Sequence, residues 1–151
     1  MRAMDPPMRA LLGFIAGAVS VLIFHQGTWA LFHLAGLMPA PFPMAPTQPW
    51  GVPVTVSFCF WAGLYGLVYG LLFPKLAMPP WLSGLILGVI ATLVLGFIVA
   101  PIKGRPIAFG WVPRTMLVVL VIHSVWGIGV GLIMQLVTAR VGSASRRVTT
   151  G

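Results

Sequence analysis

The chain has 151 residues, of which 59% are hydrophobic and only 7% charged, against roughly a quarter charged in a soluble domain. Nine Lys and Arg stand against a single acid, Asp5. A water-soluble fold is therefore excluded, and most carboxylate chemistry goes with it. Although the sequence pI is ≈ 11.6, the bases are scattered at chain ends and connections rather than clustered, so a nucleic-acid surface has no support. A mean hydropathy of +1.03 leaves an all-α integral membrane protein, since only helices and closed barrels satisfy their backbone in lipid.

The charges divide the chain into spans. None occurs between Arg9 and Lys75, between Lys75 and Lys103, or between Arg114 and Arg140, and a spanning helix needs about 20 apolar residues. The first of these stretches is too long for one span and is interrupted by the Pro-rich segment Met38 to Pro53. Four transmembrane helices in a compact bundle follow, at about 10–34, 54–73, 81–100 and 115–137. They lie between an N-terminal tail (1–9) and a basic, disordered C-terminal tail (138–151). Prolines mark the boundaries: Pro39, Pro41 and Pro43 follow the first span, Pro53 opens the second and Pro74 ends it. Pro79 and Pro80 precede the third span, Pro101 closes it, and Pro113 starts the fourth. The first span is too long for the apolar region of a cleaved signal peptide.

Orientation follows from the flanking cations. Arg2, Arg9, Lys75, Arg140, Arg146 and Arg147 fall on one side, against Lys103, Arg105 and Arg114 on the other. This two-to-one bias puts both termini in the cytoplasm. Trp50, Trp81 and Trp111 fall at span ends, where amphipathic rings favour the interface.

The chain also reads as two parallel helix–loop–helix repeats. Gly13-Phe-Ile-Ala-Gly17 in the first span matches Gly84-Leu-Ile-Leu-Gly88 in the third. Val52-Pro53-Val54-Thr55 matches Val112-Pro113-Arg114-Thr115, and Gly66 to Gly70 matches Gly127 to Gly131. The offset is 71 in the first helices and 61 in the second. Gly13, Gly17 and Ser20 give the first span a small-residue face, as do Cys59, Gly63, Gly66 and Gly70 in the second. Gly84, Gly88 and Ala91 do so in the third, and Ser124, Gly127 and Gly131 in the fourth. Such seams permit the close helix contact on which association in lipid depends. Four of them are more than one bundle needs, which points to a homo-oligomer or a larger membrane complex.

Three histidines are the only ionisable groups near the membrane interior. His25, Trp29 and His33 recur at helical spacing on one face of the first span. By helical rise, His25 and His123 fall at similar depths, roughly 15–16 Å below the loops that follow and precede their spans. They are candidates for a b-type haem held between two imidazoles, with His33 or Trp29 against a quinone. The simpler expectation is no cofactor and no metal, with the histidines hydrogen-bonded to Gln26, Thr28, Thr92 or Ser124. Cys59 is alone and reads as a packing residue, and Trp61, Tyr65 and Tyr69 form a stripe suited to packing or an apolar ligand. The three cations of the third loop read as interfacial side chains. No P-loop, metal motif or paired carboxylate is present.

Function separates into three readings. The first is a non-catalytic accessory or scaffold subunit packed through small-residue seams. The second is a small-solute transporter or channel acting as a homodimer, and the third is a haem- or quinone-binding redox subunit using His25 and His123. The absence of a membrane-embedded acid argues against proton-coupled export of cations. The segment Phe24-His-Gln-Gly-Thr-Trp-Ala-Leu-Phe-His33, with Gly51-Val-Pro53 and Phe60-Trp-Ala-Gly-Leu-Tyr-Gly66, resembles uncharacterised small four-helix inner-membrane proteins of bacteria. The resemblance implies the four-helix fold and carries no activity with it. The first reading, not an enzyme, is the expectation.

Overall fold

The computed structural model describes residues 4–148. Arg2 and residues 149–151 lie outside that range, as do the side chains of Arg146 and Arg147. Four helices are long and apolar enough to cross a membrane, and they occupy the expected places. We label them α1 (Pro6–Leu34), α2 (Val54–Lys75), α3 (Pro80–Ile102) and α4 (Pro113–Val148).

Helix starts follow the prolines. Pro6 and Pro7 occupy the first turn of α1 and Pro80 that of α3, where a missing N–H costs nothing and the fixed φ suits a helix. α1 and α3 also end alike. Gly36 (φ 70) and Gly104 (φ 67) take the left-handed conformation. The N–H groups of Leu37 and Arg105 return to the carbonyls of Phe32 and Ala100, closing a Schellman-type cap that favours glycine.

Three boundaries differ from expectation. α1 begins at Pro6, inside the expected tail. α3 continues through Pro101 to Ile102 instead of ending before it. Just upstream, Leu95–Val99 forms a wide π turn in which the Ala100 N–H bonds the Leu95 carbonyl. That shift of the hydrogen-bond ladder accommodates a proline, which supplies no donor of its own. Finally α4 does not stop near Val137 but runs to Val148, through the segment expected to be disordered. No proline interrupts residues 115–148, and extending an established helix is far cheaper than starting one.

α1 packs closely on α2, α3 packs closely on α4, and the two pairs meet through α1 and α4, whereas α2 and α3 barely touch. The order around the bundle is therefore α2–α1–α4–α3, with one loosely closed side. Glycines account for the close pairs. A Cβ added at Gly13 would strike the carbonyl of Gly66, and one at Gly17 that of Ala62. Gly66 and Gly70 are likewise blocked by the carbonyls of Gly13 and Arg9. In the second pair Gly84 faces the carbonyl of Gly127, Gly88 that of His123, Gly127 that of Gly84, and Gly131 that of Pro80. Gly63 differs, since it accommodates the ring of Phe14.

Between the pairs lies the core: Ala16, Val21, Trp126, Val130 and Met134, each at most 2% exposed. Two polar bonds tie α1 to α4 there. The Trp126 Nε1–H donates to the Gly17 carbonyl at 3.0 Å, and the Ser20 hydroxyl donates to the Trp126 carbonyl at 2.6 Å. Ser20 thus belongs to the α1–α4 contact and not to the face that meets α2. Outward faces are apolar: Leu31, Leu34, Ile98, Leu117 and Leu136 are more than half exposed, which suits a lipid surrounding and no aqueous one.

Candidate functional site

α1 carries a second π turn, Val21–His25, in which the Gln26 N–H reaches back to the Val21 carbonyl. Such turns insert a residue into a helix and are frequent at functional sites. His25 closes this one and is only 8% exposed. Its ring packs against that of His123 from α4, with centroids 5.6 Å apart and ring planes inclined at 62°. Phe58 of α2 and Trp29 of α1 flank it at 5.5 and 5.9 Å. The equal depth read from helical rise corresponds to this direct contact.

None of the side chains expected to satisfy the histidines does so. Thr28 donates to the Phe24 carbonyl and Thr92 to the Gly88 carbonyl, each one turn back in its own helix. Gln26 accepts the Phe42 N–H at 2.7 Å through Oε1, and among the described residues no hydrogen bond joins Ser124 to either ring. The Nδ1 atoms of His25 and His123 and the Nε2 of fully buried Gln26 are buried without a partner. Buried polar groups are normally paired, so three orphans on one α1–α4 contact are unusual.

The loop after α1 closes over this end of the bundle. The Trp29 Nε1–H donates to the Pro39 carbonyl at 2.9 Å, and His33 Nδ1 lies 2.9 Å from the Met38 carbonyl. Further along, Thr55 donates to the Pro43 carbonyl, and a short antiparallel ladder pairs β1 (Pro46–Thr47) with β2 (Val52–Pro53). Trp29 and His33 therefore anchor the loop, and exposed His33 does not join the pair. Trp61, Tyr65 and Tyr69 do not act together either. Trp61 is exposed, Tyr65 packs edge-on to Trp126, and Tyr69 hydrogen-bonds the Ser83 hydroxyl at 2.7 Å. Tyr65 and Tyr69 line an open apolar groove of about 370 Å³ along the loose α2–α3 side.

A b-type haem does not fit the pair as packed. Two axial imidazoles on one iron stand in line, with ring centres about 6.4 Å apart and a macrocycle filling the plane between them. The His25 ring already has three ring neighbours within 5.9 Å, so a macrocycle would have to displace at least one. The seam glycines Gly13, Gly17, Gly66, Gly70, Gly84, Gly88, Gly127 and Gly131 are likewise occupied by contacts within the chain.

Phe58 and Trp126 stand at the site with nothing in the sequence to mark them, and Gln26 enters the sequence reading only as a hydrogen-bond partner for the histidines. Only Gln26, a buried amide beside a histidine, carried a readable signal. Comparisons with protein-family models, curated proteins and solved structures found no match to this chain.

Proposed function

We propose that the chain is a non-catalytic, multi-pass protein of the bacterial inner membrane that serves as an accessory or scaffold subunit. Both termini face the cytoplasm, and the chain is built from two parallel copies of a helix–loop–helix unit. The recurrence of the glycine contacts supports the duplication. Gly13, Gly17 and Arg9 become Gly84, Gly88 and Pro80 at an offset of 71, while Ala62, Gly66 and Gly70 become His123, Gly127 and Gly131 at 61. Contacts to the same carbonyls in the same order are hard to obtain from scattered small residues.

A rigid, filled bundle supports the accessory role over transport. The α1–α4 core is closed by Trp126, Met134 and Val130, and the open groove on the α2–α3 side has almost wholly apolar walls. A solute pathway needs polar groups to replace hydration. In proteoliposomes the chain is expected to add no flux of ions or small polar solutes, and affinity purification from native membranes is expected to retain a stoichiometric membrane partner. Protein-dependent flux overturns this reading in favour of a transporter. Reporter fusions at Val148 that locate outside the cytoplasm overturn the orientation.

A further inference from the structure

The histidine pair goes beyond a scaffold. We propose that His25 and His123 are the two protein ligands of one copper(I) ion.

Geometry supports a shared metal. With a metal–nitrogen bond of about 2.0–2.1 Å, two imidazoles on one ion place their ring centres about 5.2 Å apart at a tetrahedral angle and about 6.4 Å apart when linear. The observed 5.6 Å falls inside that range. Both rings carry a buried nitrogen without a partner, as a ligand position requires.

Charge and ligand count select the ion. Structural zinc takes four protein ligands, and among the described residues no third His, Cys, Asp or Glu joins the pair. A divalent ion also needs nearby negative charge in a low-dielectric site. The only acid, Asp5, lies 20 residues before His25, about 30 Å along α1. Copper(I) carries one charge, has a filled d shell, accepts imidazole, and is satisfied by two or three donors. The rings of Trp29 and Phe58 stand 5.9 and 5.5 Å from that of His25 and keep the place dry. Gln26 Nε2, buried and unpartnered on the adjoining residue, is a donor for an outside third ligand.

The test is competition with the chromophoric chelator bicinchoninate, using full-length protein in detergent with copper held as copper(I) by ascorbate. The wild type is expected to withdraw one equivalent of copper from the chelator. X-ray absorption should then show two or three nitrogen or oxygen neighbours and no macrocycle signature. His25→Ala and His123→Ala are expected to bind copper(I) more than about 100-fold more weakly, a larger effect than losing an outer-shell partner, while His33→Ala binds as the wild type. If either alanine variant does not fold, as judged by size exclusion, His25→Phe and His123→Phe keep the ring volume and replace it. Wild type that leaves all copper on the chelator overturns the proposal. So does copper held equally by the doubly substituted protein, zinc bound as tightly as copper(I), or a haem Soret band in the protein as isolated.

Discussion

The two halves of the bundle share a frame and differ at the points where the histidines stand. α1 with α2, and α3 with α4, are joined by matching glycine-to-carbonyl contacts. Both first helices contain a π turn, and both end at a left-handed glycine. At the offset of 71, however, the position of His25 is Gly96 in the second half, and the ring of Phe109 sits against it. At the offset of 61, the position of His123 is Ala62 in the first half. Each half thus contributes one histidine from a place where the other has a small residue. Matching glycine-to-carbonyl contacts hold the frame, and the two histidines meet at the junction from positions that do not match.

The loops extend the contrast. Over the first half, Phe42 (φ 56) turns its N–H onto Gln26. Over the second, Ala108, Phe109, Gly110 and Trp111 all have φ between 49 and 70, a left-handed run unusual for side-chain-bearing residues. It buries Ala108 and directs Phe109 onto Gly96. One loop covers a polar pair, and the other fills the corresponding place with an aromatic ring.

Substitutions separate frame from site. Gly13→Leu and Gly84→Leu should be the most damaging and equally so, because each meets backbone that cannot turn aside. We expect about 3 kcal/mol or more in each case, read as loss of the folded fraction in a detergent unfolding titration. Tolerance in one half alone would break the equivalence of the seams. Trp126→Phe removes the donor to the Gly17 carbonyl and should cost about 1–2 kcal/mol in the same titration; no change would mean the indole bond contributes nothing to joining the halves. Gly96→Ala meets only a Phe109 ring edge and should cost about 1 kcal/mol. Gly27→Ala has open space around it and should stabilise slightly, by about 0.5 kcal/mol, through helix propensity alone. A loss there would place an unrecognised contact on the exposed side of α1.

Much of this was legible in the sequence. Proline and charge placement located the four helices, because lipid thickness fixes their length. Glycine spacing located the seams, because α1/α2 and α3/α4 each approach closely only where a Cβ is missing. The depth of His25 and His123 followed from helical rise. What escaped depends on the third dimension. The π turns rest on local strain between neighbouring contacts, and nothing in Val21–His25 or Leu95–Val99 announces them. The partners of Thr28, Thr92 and Gln26 could not be chosen among equally available backbone groups. The assignment of Ser20 to Trp126 required knowing which face of α1 meets α4.

The docking of α1 on α4 also governs the order in which the protein can be made. Each glycine-joined pair is a local hairpin of consecutive helices, so it can zip as soon as its second helix emerges from synthesis. Contact between α1 and α4 joins residues about a hundred positions apart, as Ser20 and Trp126 are, and waits for nearly the whole chain. The histidine pair lies on that last contact. It comes into being only when both hairpins have formed and met, so a chain arrested before α4 carries His25 without its partner His123.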